Sequence, residues 1–369
     1  MPPASPLHFA GLNGLRALAA LAVVVSHTTL ALGEFNLDPY LFGASQDGKP
    51  AGISLAGFGV SIFFALSGFL ITYLLQEERQ RQPISIPKFY WRRILRIWPL
   101  YYAYLLVALL VMAVNDMPVD SQALVLYIFY AANVPFILGA PIDFLAHYWS
   151  LGVEEQFYLV WPWVNRRWQK PATIILVLIV LLIGCKLLLH VLIPGSLWEQ
   201  IIHVTRFHCM LIGALGALWY RAGNRWLMAV ADNKLTQAVC WLVIGLAAIN
   251  RFHIASVIDN EIIAFVALVL ILGQIGVRNR VINLERPLLD ALGRISYGIY
   301  VIHPLAIFLL GKGLRDVALD ATLKYPLVYA LVLSATIGTA WLSYHYFESY
   351  FLGLKRRYEV VPSEAGIRS

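Results

Sequence analysis

Residues Leu12–His27 read LNGLRALAALAVVVSH, an apolar run interrupted by two groups that hydrocarbon rejects, Arg16 and His27. The two stand eleven positions apart. At about 100° per residue they project from one face of a helix, roughly 16 Å apart along its axis. An ionisable side chain at the bilayer centre costs about 2.5–3.5 kcal/mol on insertion scales. Two of them on one stripe of a first span fit a polar site inside a helix bundle. They fit as well a snorkelling arginine near the helix start and a hydrogen-bonded histidine at the interface.

The rest of the chain has the same character. Its 369 residues are 60% hydrophobic and 13% charged, whereas a soluble domain is nearer a quarter charged. This is the composition of an all-α, polytopic membrane helix bundle. The net charge of +7 sits in short basic clusters between apolar runs, which excludes a nucleic-acid partner and fits cytoplasmic loops. Cys185, Cys209 and Cys240 lie in apolar runs without CxxC spacing, so small core residues are expected there, with no disulfide and no metal. The opening MPPASPLHFA has no basic segment before its apolar run, and a cleaved signal peptide is not expected.

Apolar runs long enough to span lie near 11–32, 53–75, 97–114, 172–193, 206–221, 235–250, 257–276, 289–311 and 326–347. Charge orients them. The loop 33–52, with Glu34, Asp38 and Asp47 against Lys49, reads as outside. The loop 76–96, with Arg79, Arg81, Lys88, Arg92, Arg93 and Arg96, reads as inside. The cation-free segment 115–121 returns outside, and Arg166, Arg167 and Lys170 require the inside again. So do Arg221 with Arg225, Arg278 with Arg280, and Lys355–Arg357. Only one net crossing therefore fits between 120 and 165, although that stretch holds two apolar pieces, 122–138 and 148–165. One piece is re-entrant or partial, a form tolerated only against protein or a water-filled cavity. The expectation is about ten spans in one domain, 1–352, with a cytoplasmic tail, 353–369, and both ends inside.

Several constellations could carry chemistry. In VSIFFALSGFLITYLL, Ser67-Gly68 offers a close approach for a helix or a ligand. Ser67 lacks the GxSxG elbow of a serine hydrolase, so packing is the stronger reading. In FYWRRILRIWPLYY, Arg92, Arg93 and Arg96 share one broad helix face. They satisfy the positive-inside rule, and as forked guanidiniums they also suit paired phosphate oxygens. Tyr90, Trp91 and Trp98 beside them suit an interface or a purine stack. In HYWSLGVEEQFYLVWPW, Glu154 and Glu155 lie among aromatics, where a carboxylate needs a partner or acts as an acid, base or orienter. Trp149, Trp161 and Trp163 fit an interfacial belt, and Trp149 and Ser150 could also line an acceptor cavity. Arg206 opens RFHCMLIGALGALWY at its outer end. In ISYGIYVIHP, Tyr297, Tyr300 and His303 recur at i,i+3, and Pro304 frees a backbone carbonyl one turn back. SYHYFESYF places His345 and Glu348 at the inner end of the last span, where Glu348 could simply pair with Arg357.

Taken together, R-x10-H (Arg16 and His27), FFALSGFLIT, RRILRIWP, WSLGVEEQFYL and ISYGIYVIHP occur in the order found in the acyltransferase-3 family, which the chain resembles nearly end to end. The resemblance implies transfer of an acyl group, commonly acetyl from acetyl-CoA, to hydroxyls of polysaccharides, lipid-linked glycans or glycosylated small molecules. It implies His27 as the catalytic residue and Arg16, Arg92, Arg93 and Arg96 as acyl-CoA contacts, with Ser67 and Gly68 beside the donor. Two departures stand out: Asn13 where the family usually has an acid, and Glu348-Ser349-Tyr350 where it has E-x-P. His345 also stands where an arginine is common. Some relatives add an extra-membrane hydrolase-like domain, so transfer here is expected to finish within the membrane domain.

The expected mechanism puts Arg16 at the cytoplasmic mouth and His27 toward the outer half, joined by one passage. His27 would act as general base, with its imidazole oriented by Glu154. Trp149, Ser150, Arg206, Tyr297, Tyr300 and His303 would line the acceptor side. Direct transfer and an acyl-histidine route both remain open. No permanent cofactor is expected; the expected partners are acyl-CoA, a sugar-containing acceptor, membrane lipid and a second copy of the chain, in a plasma (inner) membrane. The rival reading is a transporter or flippase using the same intramembrane charges. It predicts paired inverted repeats, which the chain does not show; a scaffold reading predicts that His27→Ala is silent.

Overall fold

A computed structural model describes residues 8–41, 43–44, 48, 50–168, 171–276 and 278–361. Asp47, Lys49, Lys170, the first seven residues and the tail beyond 361, on which parts of the charge reading rest, lie outside the described residues. Among the described residues the regular structure is helical: α1 Leu12–Leu30, α2 Ser54–Arg81, α3 Ile86–Val114, α4 Ser121–Ile128, α5 Asn133–Ile137, α6 Tyr148–Arg167, α7 Ala172–Leu192 and α8 Leu197–Thr205. The second half follows as α9 Phe207–Arg221, α10 Arg225–Ala231, α11 Lys234–Ala248, α12 Asp259–Gly276, α13 Pro287–Arg294, α14 Ser296–Leu314, α15 Ala321–Ser343 and α16 Ser349–Lys355.

Short polar side chains start many of these helices. Asp120, Ser196, Asn224, Asn233 and Asp320 each accept a backbone N–H in the first turn that follows, supplying a partner that the helix itself cannot. Gly11 opens α1 at φ +73°, and a Cβ there would collide with Gln274.

Among the described residues, seven helical segments are long and apolar enough to cross a membrane, with Leu197–Arg221 (α8 and α9) and Ala321–Tyr358 (α15 and α16) each counted once, or eight if α10 and α11, bent by 60°, form one span. The shortfall from about ten falls on α1 and α6. Both have span length, at 19 and 20 residues, or roughly 30 Å. Their hydropathy is lowered by Arg16, His27, Glu154 and Glu155, the residues that the sequence places in the interior. The ambiguous stretch 120–165 resolves into α4 and α5, too short to span, followed by α6. Two boundaries differ from expectation. The basic loop 76–96 shrinks to residues 82–85, because α2 and α3 run on through the arginines. The run 289–311 is broken at Ile295, between α13 and α14.

The bundle is centred on α2. On its α9 side, a Cβ on Gly68 would collide with the Met210 carbonyl, and one on Gly213 with the Ala65 carbonyl. Gly68 therefore serves helix packing, the alternative to donor contact raised by its sequence. At the periphery, α7 leaves Val177, Val180, Leu181, Leu188 and Val191 exposed, as a lipid-facing helix does. It is tied inward through buried Lys186, whose ammonium lies 2.5 Å from the Glu261 carboxylate on α12. Cys209 and Cys240 are buried, but Cys185 on α7 is exposed, so it is not a core residue.

Candidate functional site

One cavity of about 220 Å³ opens between α1, α2, α3, α6 and α14. Its long wall is a single face of α2, formed by Val60, Phe63, Phe64, Ser67, Leu70, Ile71 and Leu74, spaced at i, i+3, i+4 and i+7. This wall is apolar but for Ser67, whose hydroxyl is hydrogen-bonded to that of Tyr158 on α6. Arg16, Arg93, Arg96, Glu154 and Glu348 add charge to the lining. Arg93 also lies against the Tyr158 ring, 5.9 Å from its centroid.

Among the described residues, none of the Arg16, Arg93 and Arg96 guanidiniums has a carboxylate within 4.0 Å. Glu154 lies in the field of all three arginines without pairing with any. Glu348 comes from a π-helical turn, Tyr344–Glu348, which follows α15. Its carboxylate accepts from Ser343 at 3.0 Å, so the expected pairing with Arg357 is not made. Asn13, where the family usually has an acid, donates to Asp290 at 2.7 Å, and Asp290 pairs with Arg294 at 2.9 Å. The acid missing from α1 is thus supplied next to it from α13.

At the other end, Ser150 and Tyr300 close the cavity. Their hydroxyls are 2.5 Å apart, and the Tyr300 hydroxyl donates to the His147 carbonyl at 2.9 Å. The Phe63 ring meets Tyr300 edge-on, with centroids 6.0 Å apart. His27 does not line the cavity; it lies behind this closure. Its Nδ1 is 2.7 Å from Nε2 of His303, and Nδ1 of His303 is 2.7 Å from the Tyr300 carbonyl oxygen. His303 is fully buried, His27 partly so. The partner of His27 is therefore His303 on α14 and not Glu154, which faces the arginines. His147 packs against His303 with ring centroids 5.2 Å apart.

Other expected site residues are committed elsewhere. Arg92 pairs with buried Glu78 at 2.8 Å and donates to the Tyr358 carbonyl at 2.9 Å, so it leaves the arginine cluster. Arg206 holds the Gly57 carbonyl at 3.1 Å, the Asn260 side chain at 3.0 Å and the His203 carbonyl at 2.9 Å, outside the cavity lining. Trp149 lies under the Arg206 guanidinium, 5.3 Å from ring centroid to carbon, and it too is absent from the lining. Trp149 and Trp161 are buried and only Trp163 faces outward, so the first two are core residues and not a belt. Trp91 stacks on Tyr358 and Trp98 on Tyr130, which occupies both rings. Tyr297 lines the cavity and donates to the Ile97 carbonyl at 2.8 Å. Sequence reasoning missed Tyr158, Tyr344 and His147, although all three lay within stretches already singled out.

A family model described as an acyltransferase domain matches residues 9–345. Among curated proteins, the O-acetyltransferase OatA of Staphylococcus aureus is 30% identical over 234 residues, covering 58% of this chain and 35% of that protein. The peptidoglycan O-acetyltransferase OatA of Listeria monocytogenes is 31% identical over 211 residues, 52% of this chain and 29% of its own length. An uncharacterized protein of Haemophilus influenzae is 27% identical over 208 residues, half of this chain and 84% of its own. The match thus spans about a third of the two O-acetyltransferases. No solved structure matches.

Proposed function

The chain belongs to the acyltransferase-3 family, and from that premise we propose that it is a membrane O-acyltransferase moving a small acyl group, acetyl first, from acyl-CoA to a hydroxyl of a sugar-containing acceptor. One observation carries this reading. Three guanidiniums without carboxylate partners share a cavity with an apolar slot, and a histidine pair stands just past its closed end. Forked guanidiniums match phosphate oxygens in pairs, so Arg16, Arg93 and Arg96 hold the nucleotide phosphates of the donor. The acylated arm lies along the α2 face. The slot is apolar along α2, which suits the acyl-bearing arm more than a polyhydroxylated sugar, and this leaves the acceptor to approach His27 from the other side. Contact between the two substrates needs Tyr300 and Phe63 to move aside.

In the reaction, His27 takes the acceptor hydroxyl proton as that oxygen attacks the thioester carbonyl. The carbon–sulfur bond then breaks, and the thiolate leaves with the proton held by His27. The names of the relatives support acetyl transfer, and the Listeria name makes a cell-wall glycan the first acceptor to test. We place the α2–α3 turn and the C-terminal segment together on the cytoplasmic face, where the basic clusters belong. The contacts of Arg81 and Arg92 with the carbonyls of Val360 and Tyr358 support their being on one side.

The test uses purified protein with acetyl-CoA and a panel of glycans. His27→Ala should lower turnover by about 10²–10⁴-fold while still binding the donor, whereas Arg93→Ala should weaken donor binding. Wild-type turnover in both variants, or a wild-type protein that does not bind acetyl-CoA, ends this reading.

A further inference from the structure

We infer that His303 is a positioning residue that fixes which nitrogen of His27 carries the proton, and that Pro304 is what allows it to do so. The inference rests on the reading of His27 as the base. It begins with the backbone. In an α-helix the N–H of residue 304 would bond to the carbonyl of residue 300. Proline has no N–H, so within α14 the Tyr300 carbonyl is left without that donor. The imidazole of His303 reaches back and takes the place, with Nδ1 2.7 Å from that oxygen.

A carbonyl oxygen only accepts, so Nδ1 of His303 carries a hydrogen. The rings packed on His303 are those of His27, His147 and Tyr300, and among the described residues no carboxylate lies within 4.0 Å of its nitrogens. In a fully buried site without a counter-charge the ring is neutral, and its Nε2 is a lone pair. That lone pair lies 2.7 Å from Nδ1 of His27. Nδ1 of His27 must then be the donor, which leaves its Nε2 unprotonated and free to accept a proton. An isolated neutral imidazole favours the opposite tautomer, with its hydrogen on Nε2, and in that form the outward nitrogen would be a donor and no base. The chain from Tyr300 through His303 thus holds His27 in the form that general-base work requires.

Two readouts test this. Nitrogen-15 NMR of histidine-labelled protein in detergent should show His27 protonated at Nδ1 in the wild type. In His303→Ala its hydrogen should move to Nε2. His303→Gln, whose amide can donate to the Tyr300 carbonyl and accept from His27, should keep it on Nδ1. If acyl transfer is measured alongside, His303→Ala should lose kcat by about 10²-fold with donor KM little changed, and His303→Gln should retain most of it. Pro304→Ala, which restores the missing donor, should fall between the two. An Nε2-protonated His27 in the wild type, or an alanine variant equal to the glutamine variant in tautomer and rate, overturns the inference. Absence of any acyl transfer by the wild type would count against the proposed function instead, and the tautomer measurement would still decide this one.

Discussion

Arg92 and Arg93 are neighbours in sequence and differ in use. Arg92 closes a pair with Glu78, which is only 1% exposed, whereas Arg93 lines the cavity with a buried Nε that has no partner. Removing one member of a buried pair leaves an uncompensated charge and typically costs about 3–5 kcal/mol. Arg92→Ala should therefore lower the thermal unfolding temperature in detergent while any surviving protein binds acetyl-CoA normally. Arg93→Ala should do the reverse. The two measurements, unfolding and donor affinity, separate the roles. Sequence could not make this division, since all three arginines share a helix face. What splits them is the tight turn 82–85, which carries Glu78 back against Arg92. For His27 the reach of sequence was different. The freed Tyr300 carbonyl was legible from Pro304 alone, but the pairing of His303, three positions on, with His27 was not. That pairing depends on α14 lying against α1.

At the scale of elements, hydropathy failed on α1 and α6 because their function is written in polar residues. Span detection rewards uniformly apolar helices, and the helices that carry a site are the ones that depart from it. The arginine and histidine spacing compensated for α1, and the charge count across 120–165 compensated for α6. Close packing was legible only as a possibility. Ser67-Gly68 announced an approach, and which helix approaches became known from the Met210 carbonyl. Gly68→Ala and Gly213→Ala should each destabilise the α2–α9 contact by about 1–3 kcal/mol, the usual range for overpacking, because the colliding atoms are backbone. Chemical unfolding in mixed micelles reads this. A neutral outcome would mean that the two helices can separate freely, and the cavity wall would lose its rigid back.

At the scale of the molecule, the interior charges sort into two groups. One is closed and includes Arg92 with Glu78 and Lys186 with Glu261, the second of which holds the lipid-facing α7 to the bundle. The other is open: three guanidiniums facing a hollow. Topology connects the second group to the cell. In a background with the three native cysteines replaced, Lys88→Cys should resist a membrane-impermeant maleimide added outside, and Asp316→Cys should react with it; both positions are exposed. The opposite pattern would put the arginine mouth on the wrong side for a cytoplasmic donor.

The turn Tyr344–Glu348 winds one residue wider than its surroundings, and such turns behave as single-residue insertions in an ordinary helix. The added width is taken up inside the turn itself, so it is the residues of Tyr344–Glu348 that are shifted about the axis, and both ends of the turn, Tyr344 and Glu348, border the hollow. A chain shortened by one residue within 344–348 would tighten this segment to an ordinary α turn and is the direct way to see what the extra width contributes.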